Sequence, residues 1–248
     1  MDFKTTRSLL LLLLGFCNAH QGNVRNNSLN IHIFSFILIG SKYFLLEGDV
    51  LIPRTRNAIK CVNKPYSCLW SKSANGNVEI PFILSEKYDN SERSKIFAAL
   101  RDFASKTCIR FIPRAAQRAY VSIEPRYGCA SLLGRIGDKQ VVSLQRFGCI
   151  RHGIIQHELL HALGFYHEHT RSDRDMYVKI NWENVNQCKK LTLRLTNSDR
   201  SVTAFGKFGA ETITPIRDPS ASVGQRDGLS KIDILRINRL YKCWRYVG

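Results

Sequence analysis

His157, Glu158, His161, Gly164 and His167 fall within eleven residues, in the spacing HExxHxxGxxH. On a helix, two histidines four residues apart project from one face and can share a single metal ion. Three imidazoles in all would suit Zn²⁺ and leave its fourth position open, the arrangement of a catalytic rather than a structural zinc site. Glu158 follows the first histidine, where its carboxylate can take a proton from a water at the metal. Gly164 can adopt the positive φ that stops a helix and lets the chain return with His167. Two histidines on an apolar helix are often no more than core or surface residues. Five specified positions in so short a run weigh against that here.

A helix that carries this set needs a buried face, and Leu159, Leu160, Ala162, Leu163 and Phe165 supply it. The helix should begin near Gly153. Upstream, Asn90 or Ser91 caps a second helix whose Ile96, Leu100 and Phe103 lie at helical spacing. Strands are expected at Val78–Leu84, Ile109–Ile112, Tyr120–Glu124 and Gln140–Leu144. A last helix spans Lys231–Leu240, with Ser230 and Asp233 as its capping pair. Mixed strands and long helices around a metal cleft give an α+β fold, or its α/β-type variant.

The first twenty residues have their own logic. Lys4 and Arg7 precede an apolar run from Leu9 to Phe16, and Cys17-Asn18-Ala19 offers small residues for cleavage, the pattern of a secretory signal peptide. The run is too short for a stable membrane anchor, as is the unexplained apolar stretch Ile31–Ile39. Three segments follow: 1–20 signal peptide, 21–56 propeptide and 57–248 the domain that carries the zinc motif. Arg54-Thr55-Arg56 offers a site to an activating trypsin-like protease, and Leu46-Glu47-Gly48-Asp49 just before it holds a carboxylate that could reach an open zinc position. Taken alone, that GluGlyAsp run reads only as a turn. Secretion favours disulfides. With Cys17 removed, seven of the eight cysteines remain, so at least one is free or pairs between chains. The net charge of +17 favours acidic partners, but the basic residues are dispersed and no nucleic-acid motif accompanies them. No nucleic-acid partner is expected.

The chain resembles the astacin-type zinc metalloproteases, a group of metzincins. The likeness rests on HELLHALGFYHEHTRSDRDMYVKI (His157–Ile180), GKFGAETITP (Gly206–Pro215) and GQRDGLSKIDILRINRL (Gly224–Leu240), ending at Cys243. It covers about residues 46–243 with one gap. Arg56–Cys61 and the Cys61/Cys68 pair look most like hatching enzymes, or choriolysins, which soften egg envelopes. The resemblance implies a two-lobed metzincin, with a twisted mixed sheet and the zinc helix in the upper lobe and the C-terminal helix in the lower. It implies His157, His161 and His167 as ligands of one Zn²⁺, Glu158 as general base and Asp49 as the zymogen's plug on the metal. Cleavage after Arg56 would free the Asn57 ammonium to pair with Glu168. The implied disulfides are Cys61–Cys68, Cys108–Cys243 and Cys129–Cys149, which leaves Cys188 over.

One departure bears on activity. The family places a methionine turn, closely followed by a metal-reaching tyrosine, beneath the zinc. Between Val185 and Ala204 this chain has NQCKKLTLRLTNSDRSVT, with no Met, His or Tyr, and is roughly twenty residues short of the family pattern. Met176 belongs to the segment after the zinc helix and reads as core; Tyr177 and Tyr241 lie in other matched segments. Two readings follow. The first is a secreted zinc endopeptidase acting on extracellular proteins, whose edge strand near Tyr120–Glu124 takes substrate by strand addition. The second is a catalytically impaired, secreted zinc-binding domain.

Overall fold

A computed structural model describes residues 43–46, 49–53, 68–167, 172–185, 207–218, 225 and 227–247. Its main sheet has seven strands: β1 (Tyr43–Leu46), β2 (Val50–Pro53), β3 (Val78–Leu84), β4 (Ile109–Pro113), β5 (Tyr120–Glu124), β6 (Cys129–Leu132) and β7 (Lys139–Leu144). Their order across the sheet is β1-β2-β6-β7-β5-β3-β4. β3 runs parallel to β4 and β5, and β5 parallel to β7, whereas β6 is antiparallel to β7. The parallel strands alternate less than a one-faced sheet would: Ile80–Phe82, Val121–Ile123 and Gln140–Leu144 are buried in unbroken runs.

Helix α1 (Asn90–Lys106) crosses from β3 to the parallel β4 and buries Ile96, Ala99, Leu100 and Phe103. Its cap is Asp89, one residue before the expected Asn90 or Ser91. The Asp89 carboxylate accepts from the Glu92 amide and the Glu92 side chain accepts from the Asp89 amide, a reciprocal box that neither alternative could close. Phe82, Phe97, Phe103 and Phe111 meet edge to face between α1 and the sheet. α2 (His152–Ala162) packs on α1 and on β6 and β7. α3 (Lys231–Leu240) starts with the expected Ser230–Asp233 box and sends Ile237 into the main core.

A smaller body of structure lies apart from this core. β8 (Val178–Ile180) and β9 (Ile213–Pro215) form an antiparallel pair, with Ile180, Val185 and Ile213 buried beneath Val178 and Trp182. Met176 stands just before β8 on a 3-10 turn and is 64% exposed, so it is neither core nor metal floor.

The expected substrate edge requires correction. β5 is bonded to β3 on one side and β7 on the other, so Tyr120–Glu124 is interior and has no free edge. The outer position beyond β7 belongs to β6, a four-residue strand of Cys, Ala, Ser and Leu too short and mixed to stand out in the sequence. β2 lies on that edge in parallel register, Val50 opposite Ser131 and Leu51 opposite Leu132.

Beside β5, Glu124 accepts from Lys139 Nζ and Arg126 Nε at 2.8 Å and from Ser122 Oγ at 2.6 Å. Burial alone would raise its pKa, but these three donors outweigh it and bring it down from 4.5 to about 2. A carboxyl with a lowered folded pKa stabilises above its unfolded value and loses that contribution as pH falls through the folded one. Glu124→Gln is therefore expected to cost about 1 kcal/mol at pH 7, with solvent screening of the two partners allowed for. The difference from the parent should close as pH drops from ~4.5 to ~2. Urea unfolding at several pH values measures it; a gap that stays constant with pH would rule out the ionic account.

Candidate active site

The last turn of α2 is held in place from several sides. Trp70 Nε1 donates to Ala162 O at 2.9 Å, Tyr241 Oη to Leu163 O at 2.8 Å, and the Gly134 amide to His161 O at 2.8 Å. These occupy carbonyls that the helix end would otherwise leave without partners. The helix's rotation is fixed further by Gln156, which is buried: its amide donates to Asp102 on α1 at 2.7 Å and accepts from the Leu229 amide before α3 at 2.9 Å. None of Trp70, Gln156 and Tyr241 was singled out for this role by the sequence, because each acts across 50 residues or more. Gly164 then takes φ +95°, and the chain turns back toward the helix face.

That turn brings His167 beside His157 and His161. The Nε2 atoms of His161 and His167 lie 3.1 and 3.2 Å from Nε2 of His157. The side chains of His161 and His167 are 2% and 0% exposed, while His157 is 25% exposed and borders the cleft. His161 Nδ1 is 2.8 Å from Phe165 O. A carbonyl can only accept, so the ring proton sits on Nδ1 and the Nε2 lone pair faces the other two rings. Burial, followed by the neighbouring His157, lowers the His161 pKa to about 3, so this imidazole is neutral.

Asp49 closes the group from above. It stands just before β2 on the β1–β2 hairpin, in which Leu46 pairs with Val50. The hairpin is docked by Ser131 N donating to Asp49 O at 2.9 Å. Its carboxylate oxygens stand 3.2 Å from His157 Nε2 and 3.2 Å from His167 Nε2, with His161 Nε2 at 3.8 Å. Burial would push this carboxyl up, but its contacts with His157 and His167 outweigh that and hold it well below the usual range. Zinc–nitrogen bonds of about 2.0–2.1 Å imply about 3.3–3.4 Å between ligand atoms of a tetrahedron. Three nitrogens and a carboxylate oxygen at these separations fit a zinc ion well, and three lone pairs converging without a cation would repel. These four residues are the metal-binding cluster among the described residues.

Glu158, next to His157 on α2, is 1% exposed. A cleft of about 90 Å³ opens over the site, with Leu160, Phe165 and Tyr166 on one wall and Asp233 and Arg236 of α3 on the other. Cys108 is bonded to Cys243, and Cys129 to Cys149. Cys68 is also in a disulfide, while Cys61, Cys188, Arg56, Asn57 and Glu168 lie outside the described residues, as do residues 1–42 and 186–206.

Comparison with known proteins agrees with this geometry. Residues 68–204 match the astacin peptidase family. The low choriolytic enzyme of Oryzias latipes is 50% identical, over 98% of this chain and 100% of that protein. High choriolytic enzyme 1 of the same fish is 46% identical over 80% of this chain and 78% of its own length. Its solved structure, described as a hatching-enzyme zinc protease, superposes with a TM-score of 0.66 at 44% identity, covering 73% of this chain and 97% of that one. The low choriolytic enzyme aligns over 273 positions against the 248 residues here, so at least 25 positions of the alignment have no residue of this chain. A three-histidine zinc site in this fold, with such relatives along almost its whole length, places the chain in the astacin family of zinc metalloendopeptidases.

Proposed function

We propose that this chain is the secreted zymogen of a hatching-type protease whose substrates are egg-envelope proteins. The observation that carries the zymogen reading is the Asp49 carboxylate, held on a hairpin tip 3.2 Å from two of the three histidines. In this reading residues 1–20 are the signal peptide, 21–56 the propeptide and 57–248 the peptidase domain. The likeness to two choriolytic enzymes supports the substrate class, and it favours a working peptidase over a zinc-binding domain without catalysis. Among the described residues, no helix is long and apolar enough to cross a membrane.

His157, His161 and His167 hold the zinc, which when bound supplies Lewis-acid polarisation of the scissile carbonyl. The other steps belong to the chain's own residues. A trypsin-like protease cuts after Arg56, the hairpin leaves, and the outer edge of β6 becomes free to bond an extended substrate. Glu158 takes the proton of the attacking water and passes it to the nitrogen of the leaving amine. The same cut frees the Asn57 ammonium to pair with the Glu168 carboxylate. The test is trypsin-treated protein on isolated fish egg envelopes, with casein as control. Release of soluble envelope peptides is the expected result; casein cleavage with intact envelopes would refute the substrate class and leave the peptidase standing.

The short segment between Val185 and Ala204 yields a separate expectation. A turn packed under the imidazoles fixes ligand rings more than it adds affinity. Inserting the family's segment, with its Met and Tyr, should therefore raise kcat/KM by about 10-fold or more and raise thermal stability with zinc bound. Side-by-side kinetics and melting of the two versions measure this. Equal rates would show that the turn is dispensable in this chain.

A further inference from the structure

The sequence Arg-aromatic-Gly-Cys occurs twice, as Arg126-Tyr127-Gly128-Cys129 and Arg146-Phe147-Gly148-Cys149. The two cysteines are bonded to each other. Both glycines are left-handed, Gly128 at φ +74° and Gly148 at φ +105°, a conformation that a side chain at either position would resist. Gly128 N donates to Gln145 Oε1 at 2.8 Å, Gln145 N to Gly128 O at 3.2 Å, and Ser143 Oγ to Gly128 O at 2.9 Å. Two loops are thus clamped side by side at one end of β6 and β7, and each presents an aromatic ring to solvent. Tyr127 is 61% exposed and Phe147 88%.

Neither arginine makes this face strongly cationic. Arg126 is paired with Glu124 at 2.8 Å, and Arg146 with Asp89 at 2.8 Å and Glu92 at 2.9 Å. The exposed character is aromatic, which suits apolar side chains better than sulfated or phosphorylated groups. The position is also informative. β2 covers only Ser131 and Leu132 of β6, so among the described residues no strand lies outside Cys129 and Ala130. Tyr127 is four residues before Ser131, which docks Asp49, and at ~3.3 Å per residue lies within about 13 Å of it along the strand. A peptide added to β6 in front of the zinc would run onto this pair of rings three or more residues from its scissile bond.

We propose that Tyr127 and Phe147 form a substrate platform that seats apolar side chains of an extended polypeptide substrate, at the end of the β6 edge away from the hairpin. This rests on β6 being the substrate edge. The rings add affinity for long chains and take no part in bond cleavage. A rigid pair of exposed rings costs little entropy to engage, since each has only two side-chain torsions.

The test compares Tyr127→Ser/Phe147→Ser with the parent, both carrying Glu158→Gln so that peptide stays intact. Fluorescence anisotropy of trypsin-treated, zinc-loaded protein is read with labelled peptides extended by four apolar residues on the N-terminal or the C-terminal side, and with serine-extended controls. The double substitution should weaken one of the two apolar peptides by about tenfold and leave the serine controls unchanged, with the melting temperature unaltered. Equal affinities in the two proteins would overturn the proposal, as would failure of the parent to distinguish apolar from serine extensions. Self-association that disappears in the double variant would also overturn it, by giving the platform to a second copy of the chain. The readout is binding, so failure of the protein with Glu158 intact to cleave casein bears on the peptidase reading and not on this one, while casein cleavage by that protein together with equal anisotropy of the two Glu158→Gln proteins removes the platform alone.

Discussion

Glu158→Gln is expected to retain its zinc and lose peptidase activity by 10² or more in kcat, an estimate of about the usual weight of a positioned general base. The substitution keeps the size of the side chain, and Glu158 is buried at 1% exposure on the same helix as His157 and His161, so the helix can accept it without repacking. His157, His161 and His167 are untouched, and His161 still donates from Nδ1 to Phe165, which keeps its metal-facing nitrogen unprotonated. What disappears, in the proposed mechanism, is the carboxylate that accepts the water's proton and returns it to the leaving amine. Metal content by elemental analysis and cleavage of a quenched peptide should be measured on one preparation. Zinc at one per chain with cleavage undiminished would remove Glu158 from the mechanism; loss of zinc together with activity would make it a structural support of the site instead.

How much of this could be read from the residues depended on how local the determinant is. The zinc helix was legible because His157, His161 and its stopping glycine all lie within one short run, and their geometry follows from helical spacing alone. The Ser230–Asp233 box was legible for the same reason, and the Asp89 box was missed by one residue because Asn90 and Ser91 are also good caps. Sheet order was not legible. Tyr120–Glu124 has the composition of a strand at either an edge or the interior, and only its pairing with β3 on one side and β7 on the other decides between them. Met176, an apolar residue in a matched segment, gave no sign that its 3-10 turn would leave it exposed. Asp49 was the least legible from its own surroundings: GluGlyAsp is an ordinary turn, and its importance came through family resemblance. The hairpin explains physically why the turn matters, because the pairing of Leu46 with Val50 puts the aspartate at the tip, and Ser131 fixes that tip over the histidines.

Replacing both Arg54 and Arg56 by alanine is expected to leave the trypsin-treated protein at least about 10²-fold less active than the cut parent. A carboxylate tethered in the same chain competes at an effective concentration of about millimolar or above, which a substrate in solution seldom matches. Here the carboxylate is reinforced by a strand, since β2 occupies Ser131 and Leu132 and packs Leu51 against Ala130 and Leu132. In the proposed zymogen two obstacles therefore stand between the uncut chain and catalysis, and they can be separated. Asp49→Ala should open the fourth metal position and leave β2 on the edge, so the uncut variant should gain part of the activity while still excluding long substrates. Cutting after Arg56 should remove both obstacles and give the Asn57 ammonium its partner in Glu168. N-terminal sequencing fixes the cleavage point, and initial rates on a short and a long peptide separate the plug from the strand. An uncut parent as active as the cut one would show that neither Asp49 nor β2 blocks the site. Asp49→Ala with no gain on the short peptide would place the whole block in the strand.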